Sequence, residues 1–333
     1  MPAIDAHAHV LPQQASLAVQ VMDCCGIERM VTLEWHDGFG DNLVEHMDQF
    51  DLHPGRFTVF GNVDWSQIND AGFGERAAAQ VTQDATQGMA GLKVYKNLGL
   101  ELCHSDGTLW RIDDGALDPI WSACGELGLP VLIHSADVAC FWPPEEQWRE
   151  LRGLLPGDKA WWSYYAGDAP SHATLIDQRN AMIARHPETI FICPHLGSHA
   201  LNLQTAARDL DRLPNMVYDI SACTPFVART QRSADATRQF VTKYQDRLMF
   251  GSDWVYWLPS DTKQDSAEQQ IAMVDEALDQ MQSELALLSA SGQQRGGISQ
   301  RTSEPYALHG LGLPPAVLDK VLYQNTQTII PSR

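Results

Sequence analysis

The sequence predicts a (β/α)8 barrel of the TIM type, and two observations carry that expectation. Short runs rich in β-branched and other apolar residues recur eight times along the 333 residues, and each is followed by a stretch with helical spacing. Most of these runs are near-continuously apolar, as strands covered on both faces are, and parallel sheets have such strands. Eight strand–helix units close most economically into a barrel with its helices outside. A doubly wound open sheet is the runner-up, but no glycine-rich phosphate loop follows the first run.

Taken in order, AIDAHAHV (3–10) precedes LAVQVMDCCG, whose final Gly26 is a helix stop. RMVTLEW (29–35) precedes NLVEHMDQF, FTVFGNVDW (57–65) precedes ERAAAQVTQDAT, and GLKVYK (91–96) precedes LDPIWSACGELG. PVLIHSAD (130–137) leads to LIDQRNAMIARHP, TIFICPHLG (189–197) to LNLQTAARDLDRL, and MVYDISA (216–222) to ATRQFVTKYQDR. LMFGSDW (248–254) is followed by SAEQQIAMVDEALDQMQSELALL and a last helix, PAVLDKVLYQ. Residues 1–333 therefore read as one barrel domain.

Two segments break the rhythm. Residues 140–171 form an extended aromatic loop after strand five, with Trp142, Trp148, Trp161, Trp162, Tyr164 and Tyr165. Aromatic loops of this length usually cover something, so a lid is expected there. A helical insertion at 261–305 follows strand eight. Its polar part, SASGQQRGGISQRTSE (289–304), reads as a mobile surface loop.

Composition narrows the function. Lys plus Arg is 23 against 42 Asp plus Glu, a formal charge of −19, which repels nucleic acid and anionic membranes. There is no apolar run of membrane-spanning length and no basic, apolar leader, so a cytoplasmic location is expected. The seven cysteines are odd in number and lack a CxxC spacing, which predicts buried free thiols in a reducing compartment.

Barrels of this kind build their sites at the C-terminal ends of the strands. Strand one ends with His7 and His9, two apart and therefore on one side. Strand four carries Lys93, with Lys96 beyond it. Strands five and six end in His134 and His195, strand seven carries Asp219 and Ser221, and strand eight ends with Asp253. One histidine in an apolar run would be ordinary. Four histidines and an aspartate converging on the working face point to a metal site. Imidazoles with a carboxylate suit Zn²⁺ first, and also Mn²⁺, Fe²⁺ or Co²⁺. Such a cation lowers the pKa of a bound water towards roughly 7. Lys93, Ser221 and Trp254 are the expected substrate contacts, with Glu34, His36 and Asp64 as further candidates.

At these residues the chain resembles the amidohydrolase superfamily, in the branch that includes aminocarboxymuconate semialdehyde decarboxylase, resorcylate-type decarboxylases, and sugar and pyrone lactonases. The resemblance runs from DAHAH through GLKVYK, VLIHSAD, ICPHLGSH and FGSDW to LYQNTQTII. It implies one divalent metal held by His7, His9, His134 and Asp253. It also implies that His195 is a general acid/base, that Asp253 shuttles a proton, and that the chain pairs into a homodimer. Lys93 matches the strand-four lysine that is carboxylated in binuclear members. Several of the decarboxylases replace the first histidine of the pair with glutamate, whereas His7 keeps it. The expected function is thus hydrolysis of a C–O or C–N bond in a lactone, ester or amide by metal-activated water. The alternative is non-oxidative decarboxylation of a small unsaturated or aromatic acid. No arginine stands at a strand end to clamp a carboxylate, although Arg149, Arg152 or Arg229 could supply one from a loop. A non-catalytic binding barrel would show lost ligands, and none is missing.

Overall fold

The computed structural model describes residues 1–33, 43–142, 169–256, 267–297 and 306–330. Its strands are β1 (Ala3–Val10), β2 (Ile27–Leu33), β3 (Phe57–Gly61), β4 (Gly91–Val94), β5 (Val131–Ile133), β6 (Phe191–Cys193), β7 (Met216–Asp219), β8 (Leu248–Met249) and β9 (Trp254–Tyr256). The main helices alternate with them: α1 (Ala15–Cys25), α2 (Leu43–Phe50), α3 (Phe73–Thr86), α4 (Asp118–Leu127), α5 (His172–Arg185), α6 (Leu203–Arg212), α7 (Gln231–Lys243) and α8 (Ala267–Ser289). The parallel sheet runs β8-β7-β6-β5-β4-β3-β2-β1-β9. This is the expected (β/α)8 barrel, with its eighth strand in two pieces.

The break has a purpose. β8 pairs with β7, and β9 pairs with β1 through Ala8–Trp254 and His9–Val255. Between them, the Ala6 N–H donates to the Phe250 carbonyl (2.9 Å) and the Asp253 N–H donates to the His7 carbonyl (2.6 Å). In sequence, LMFGSDW (248–254) reads as one continuous strand. Instead, the left-handed Asp253 (φ 54°) turns the backbone as the ring closes. A Cβ at Gly251 would stand 2.8 Å from the Cβ of His7, so glycine permits this close approach.

Two apolar shells organise the barrel. Leu92, Val94, Val131 and Ile133 pack outward with Trp121 and the helices. Ala6, Val31, Leu33, Phe60, Leu132, Ile192, Val217 and Met249 fill the interior with Ile330. Arg29, near the start of β2, donates to the Ile330 carbonyl (2.8 Å), which fixes Ile330 at the N-terminal end. Side chains alternate along a strand. Val217 is therefore followed upward by Asp219 and Ser221, Leu132 by His134, and Met249 by Gly251 and Asp253. An apolar floor thus carries a polar layer towards the C-terminal face.

β1 needs a further device. Asp5 lies opposite Met30 and Ala8 opposite Thr32, so β1 carries one residue more than β2 over this stretch. The bulge lets Ala6 join the apolar floor while Ala8 and Val10 pack outward. His7 and His9 then occupy the layer above.

The expected surface loop at 289–304 is partly a strand. β10 (Ser291–Gly296) pairs antiparallel with β11 (Tyr306–Leu311). Most residues of β10 are exposed, so its polar composition concealed it. Most of the expected lid (143–168) lies outside the described residues, as do Glu34, His36, Arg149 and Arg152. None of the seven cysteines forms a disulfide, but Cys24 and Cys103 are exposed instead of buried. Among the described residues no helix is long and apolar enough to cross a membrane.

Candidate metal centre

The polar layer brings His7, His9 and Asp253 together, with one ligand atom from each lying within 4.8 Å of the others. Asp253 Oδ1 is 3.1 Å from His7 Nε2 and 3.2 Å from His9 Nε2. The other ring nitrogen of each imidazole is already engaged. His7 Nδ1 bonds Asp219 Oδ2 (2.8 Å), and His9 Nδ1 donates to the Leu33 carbonyl (2.8 Å). A histidine that gives its outer nitrogen to a carboxylate or carbonyl turns the inner one towards a cation in a fixed orientation. His7 Nε2 is buried and makes no hydrogen bond among the described residues. Two imidazole nitrogens and a carboxylate around that atom fit a borderline divalent cation.

The charges agree. Burial holds the His9 imidazole down at about 4, so at neutral pH its lone pair is available. Burial also disfavours a charged His7, but Asp253 and Asp219 on either side outweigh it and push its pKa up. A divalent cation is the natural alternative to that proton. Burial raises Asp219, but His7, His195 and Ser221 outweigh it and leave the carboxyl well below its usual range.

Asp219 and Ser221 act behind the histidines. Asp219 accepts from the His195 N–H (3.1 Å), the Ser221 N–H (3.0 Å) and the Ser221 hydroxyl (2.5 Å). Ser221 Oγ also lies 3.2 Å from His7 Nδ1 and 3.0 Å from His195 Nδ1. Fully buried, it orients imidazoles from within the barrel wall.

His195 sits at the start of a left-handed turn, with Leu196 and Ser198 also at positive φ. Each such non-glycine residue costs about 1–2 kcal/mol, so the turn needs support. The buried Arg179 of α5 donates to the Gly197 carbonyl (2.8 Å), and Ser198 Oγ donates to the Ala136 carbonyl. Gly197 itself packs on Tyr218, whose ring carbon would lie 2.4 Å from an added Cβ. The turn leaves His195 Nε2 3.7 Å from Asp253 Oδ2.

His134 stands beside this cluster, its ring centroid 4.8 Å from that of His195. Its Nε2 faces Asp137 Oδ1 at 3.2 Å, and Asp137 in turn holds Lys96 Nζ at 2.5 Å. Lys93 is 1% exposed, at the register position of the inward-facing Leu132. It forms no ion pair among the described residues, and burial lowers its pKa to about 8. Trp254 is 1% exposed within the outer apolar shell, its ring against Tyr256. Its place there is packing, because β9 turns it from the barrel axis. Asp64 caps Ser66 and Gln67 on the surface. A groove of about 830 Å³ on the rim, between the starts of α3 and α4, contains none of these residues.

Asp5 was missed by sequence reasoning. Its buried carboxylate accepts from the Ser252 N–H (2.9 Å), the Ser252 hydroxyl (2.6 Å) and the His7 N–H (3.1 Å). Burial pushes its carboxyl up to about 6. Its place two residues before His7 was the available signal. Asp137 and Gln280 were also missed, and neither carries a local pattern.

A barrel that gathers two strand-one imidazoles and a strand-eight carboxylate at its C-terminal face is built as a metal-centred enzyme scaffold. The amidohydrolase family profile matches residues 4–329, and the chain belongs to that family. No curated protein matches the sequence. Solved structures share the fold at low identity. The chain is similar to 2,6-dihydroxybenzoate decarboxylase from Rhizobium (14% identity, TM-score 0.54, covering 99% of this chain and 98% of that one). It is similar to the dihydroxybenzoic acid decarboxylase of Polaromonas sp. JS666, which contains manganese (14%, TM-score 0.55, 99% and 96%). It is also similar to a probable 2-pyrone-4,6-dicarboxylic acid hydrolase of Acinetobacter baumannii (11%, TM-score 0.50, 99% and 99%).

Proposed function

We propose that this protein is a metal-dependent hydrolase that cleaves a C–O or C–N bond in a small lactone, ester or amide. The carrying observation is the two-sided placement of Asp253. Its Oδ1 meets His7 and His9, while its Oδ2 faces His195. His7, His9 and Asp253 would hold one divalent cation, with His134 beside them; zinc is the first choice and manganese, iron and cobalt are alternatives. When bound, the cation supplies Lewis acidity, polarising a substrate oxygen and acidifying water. Asp253 takes the proton from water as its oxygen adds to the substrate carbonyl. His195 relays that proton to the leaving oxygen or nitrogen. Asp219 and Ser221 keep both imidazoles aligned. Lys93, which forms no ion pair among the described residues, offers its ammonium to an anionic oxygen of the substrate.

Lys93 also favours the second reading, decarboxylation, since a buried ammonium suits a substrate carboxylate. Product chemistry separates the two. On a panel of lactones, esters, and aromatic and enoic acids, hydrolysis predicts acid release without carbon dioxide. Carbon dioxide release from an acid would select the alternative. With whichever substrate turns over, Lys93→Met is expected to raise KM by about 10–150-fold, the worth of one charged hydrogen bond of roughly 1.5–3 kcal/mol. An unchanged KM in steady-state assays would remove Lys93 from the substrate site.

A further inference from the structure

Asp253 holds a backbone conformation that L-residues avoid, and the groups that keep it there lie outside the cluster. The preceding residue, Ser252, is fully buried. Its N–H and hydroxyl both donate to Asp5, at 2.9 and 2.6 Å. Its hydroxyl oxygen accepts from the Trp254 N–H (3.1 Å), so one side chain spans the residue between. Its carbonyl accepts from Gln280 Nε2 (3.0 Å), and Gln280 belongs to α8, the helix inserted after strand eight. Gln280 also donates to Glu284 one turn on (3.0 Å), which steadies it. The Asp253 N–H is taken by the His7 carbonyl, and the His7 N–H by Asp5. Asp5 therefore ties a residue of the histidine pair and the turn before Asp253 to one carboxylate.

We propose that Asp5, Ser252 and Gln280 form a latch that fixes the left-handed turn at Asp253 and so sets the affinity of the His7–His9–Asp253 cluster for a divalent cation. Asp5, Ser252 and Gln280 are positioning residues; the cluster alone would touch the ion. The proposal gives α8 a function in the site, because its Gln280 grips the loop from outside the barrel. It rests on reading the cluster as a metal centre.

The test uses the full-length protein stripped with chelator and titrated with Mn²⁺ by calorimetry. Its melting temperature is measured in the stripped state. Ser252→Ala removes the hydroxyl, and Gln280→Met removes the amide donor while filling the same space. Each is expected to raise the Mn²⁺ dissociation constant about 10–100-fold, the usual effect of losing an outer-sphere partner, at a temperature where the stripped variant is still fully folded. If Ser252→Ala does not fold, Gln280→Met carries the test, since its side chain approaches the loop from α8. Wild-type affinity in the folded variants would overturn the latch while leaving the metal centre intact. Affinity that falls only in step with the melting temperature would overturn it as well, by reducing it to general stability. A wild-type protein that takes up no Mn²⁺ would overturn both the latch and the metal-centre reading.

Discussion

Asp253→Ala is expected to leave the protein folded, free of bound transition metal and without measurable turnover. Asp253 Oδ1 is the atom that both His7 and His9 face, at 3.1 and 3.2 Å. Its loss removes the only carboxylate of the three-residue cluster found among the described residues. Two buried neutral donors then remain, and a divalent ion loses its charge compensation. The expected fall in kcat/KM is at least about 10³-fold, or roughly 4 kcal/mol of transition-state stabilisation. Elemental analysis of the reconstituted variant, with circular dichroism to verify folding, checks it. Full metal occupancy in the folded variant would show that Asp253 is not a ligand.

His195→Asn is expected to behave differently, and the contrast is informative. Its Nδ1 is committed to the Ser221 carbonyl (3.0 Å), and its Nε2 faces Asp253 from a longer 3.7 Å. Burial lowers its pKa, so a neutral imidazole able to accept and return a proton is present at neutral pH. The variant should keep its metal and lose kcat by about 10²–10⁴-fold, the usual worth of a general acid–base group. Metal analysis paired with steady-state kinetics distinguishes the outcomes. Loss of metal would instead make His195 a ligand and favour a binuclear centre.

Much of this was legible in the sequence, for a physical reason. Strands buried on both faces must be apolar, so a polar residue inside such a run is conspicuous. That is why His7, His9, His134, His195, Asp219 and Asp253 could be picked out before any coordinates. The parity of strands also placed His7 beside His9. What parity cannot see is a bulge, and the extra residue in β1 decides that Ala6 goes to the floor. Left-handed conformations at His195 and Asp253 were equally hidden, because neither residue is itself a glycine. Ser221 was expected to touch substrate, but its neighbours come from strands one and six, and only the folded barrel shows that it braces their histidines. Trp254 follows a site residue in sequence, yet alternation sends it into the outer shell. The Gln280–Ser252 contact joins residues 28 apart across a helix, which no local pattern encodes.

The metal-centre reading requires one ion held at the mouth of the barrel. A crystal structure of the metal-loaded protein, with anomalous scattering to locate the ion, tests that most directly. A single anomalous peak is expected, bonded to Nε2 of His7, Nε2 of His9 and the carboxylate of Asp253, at about 2.0–2.2 Å from each. A peak elsewhere, or none after reconstitution with Zn²⁺ and Mn²⁺, would contradict it.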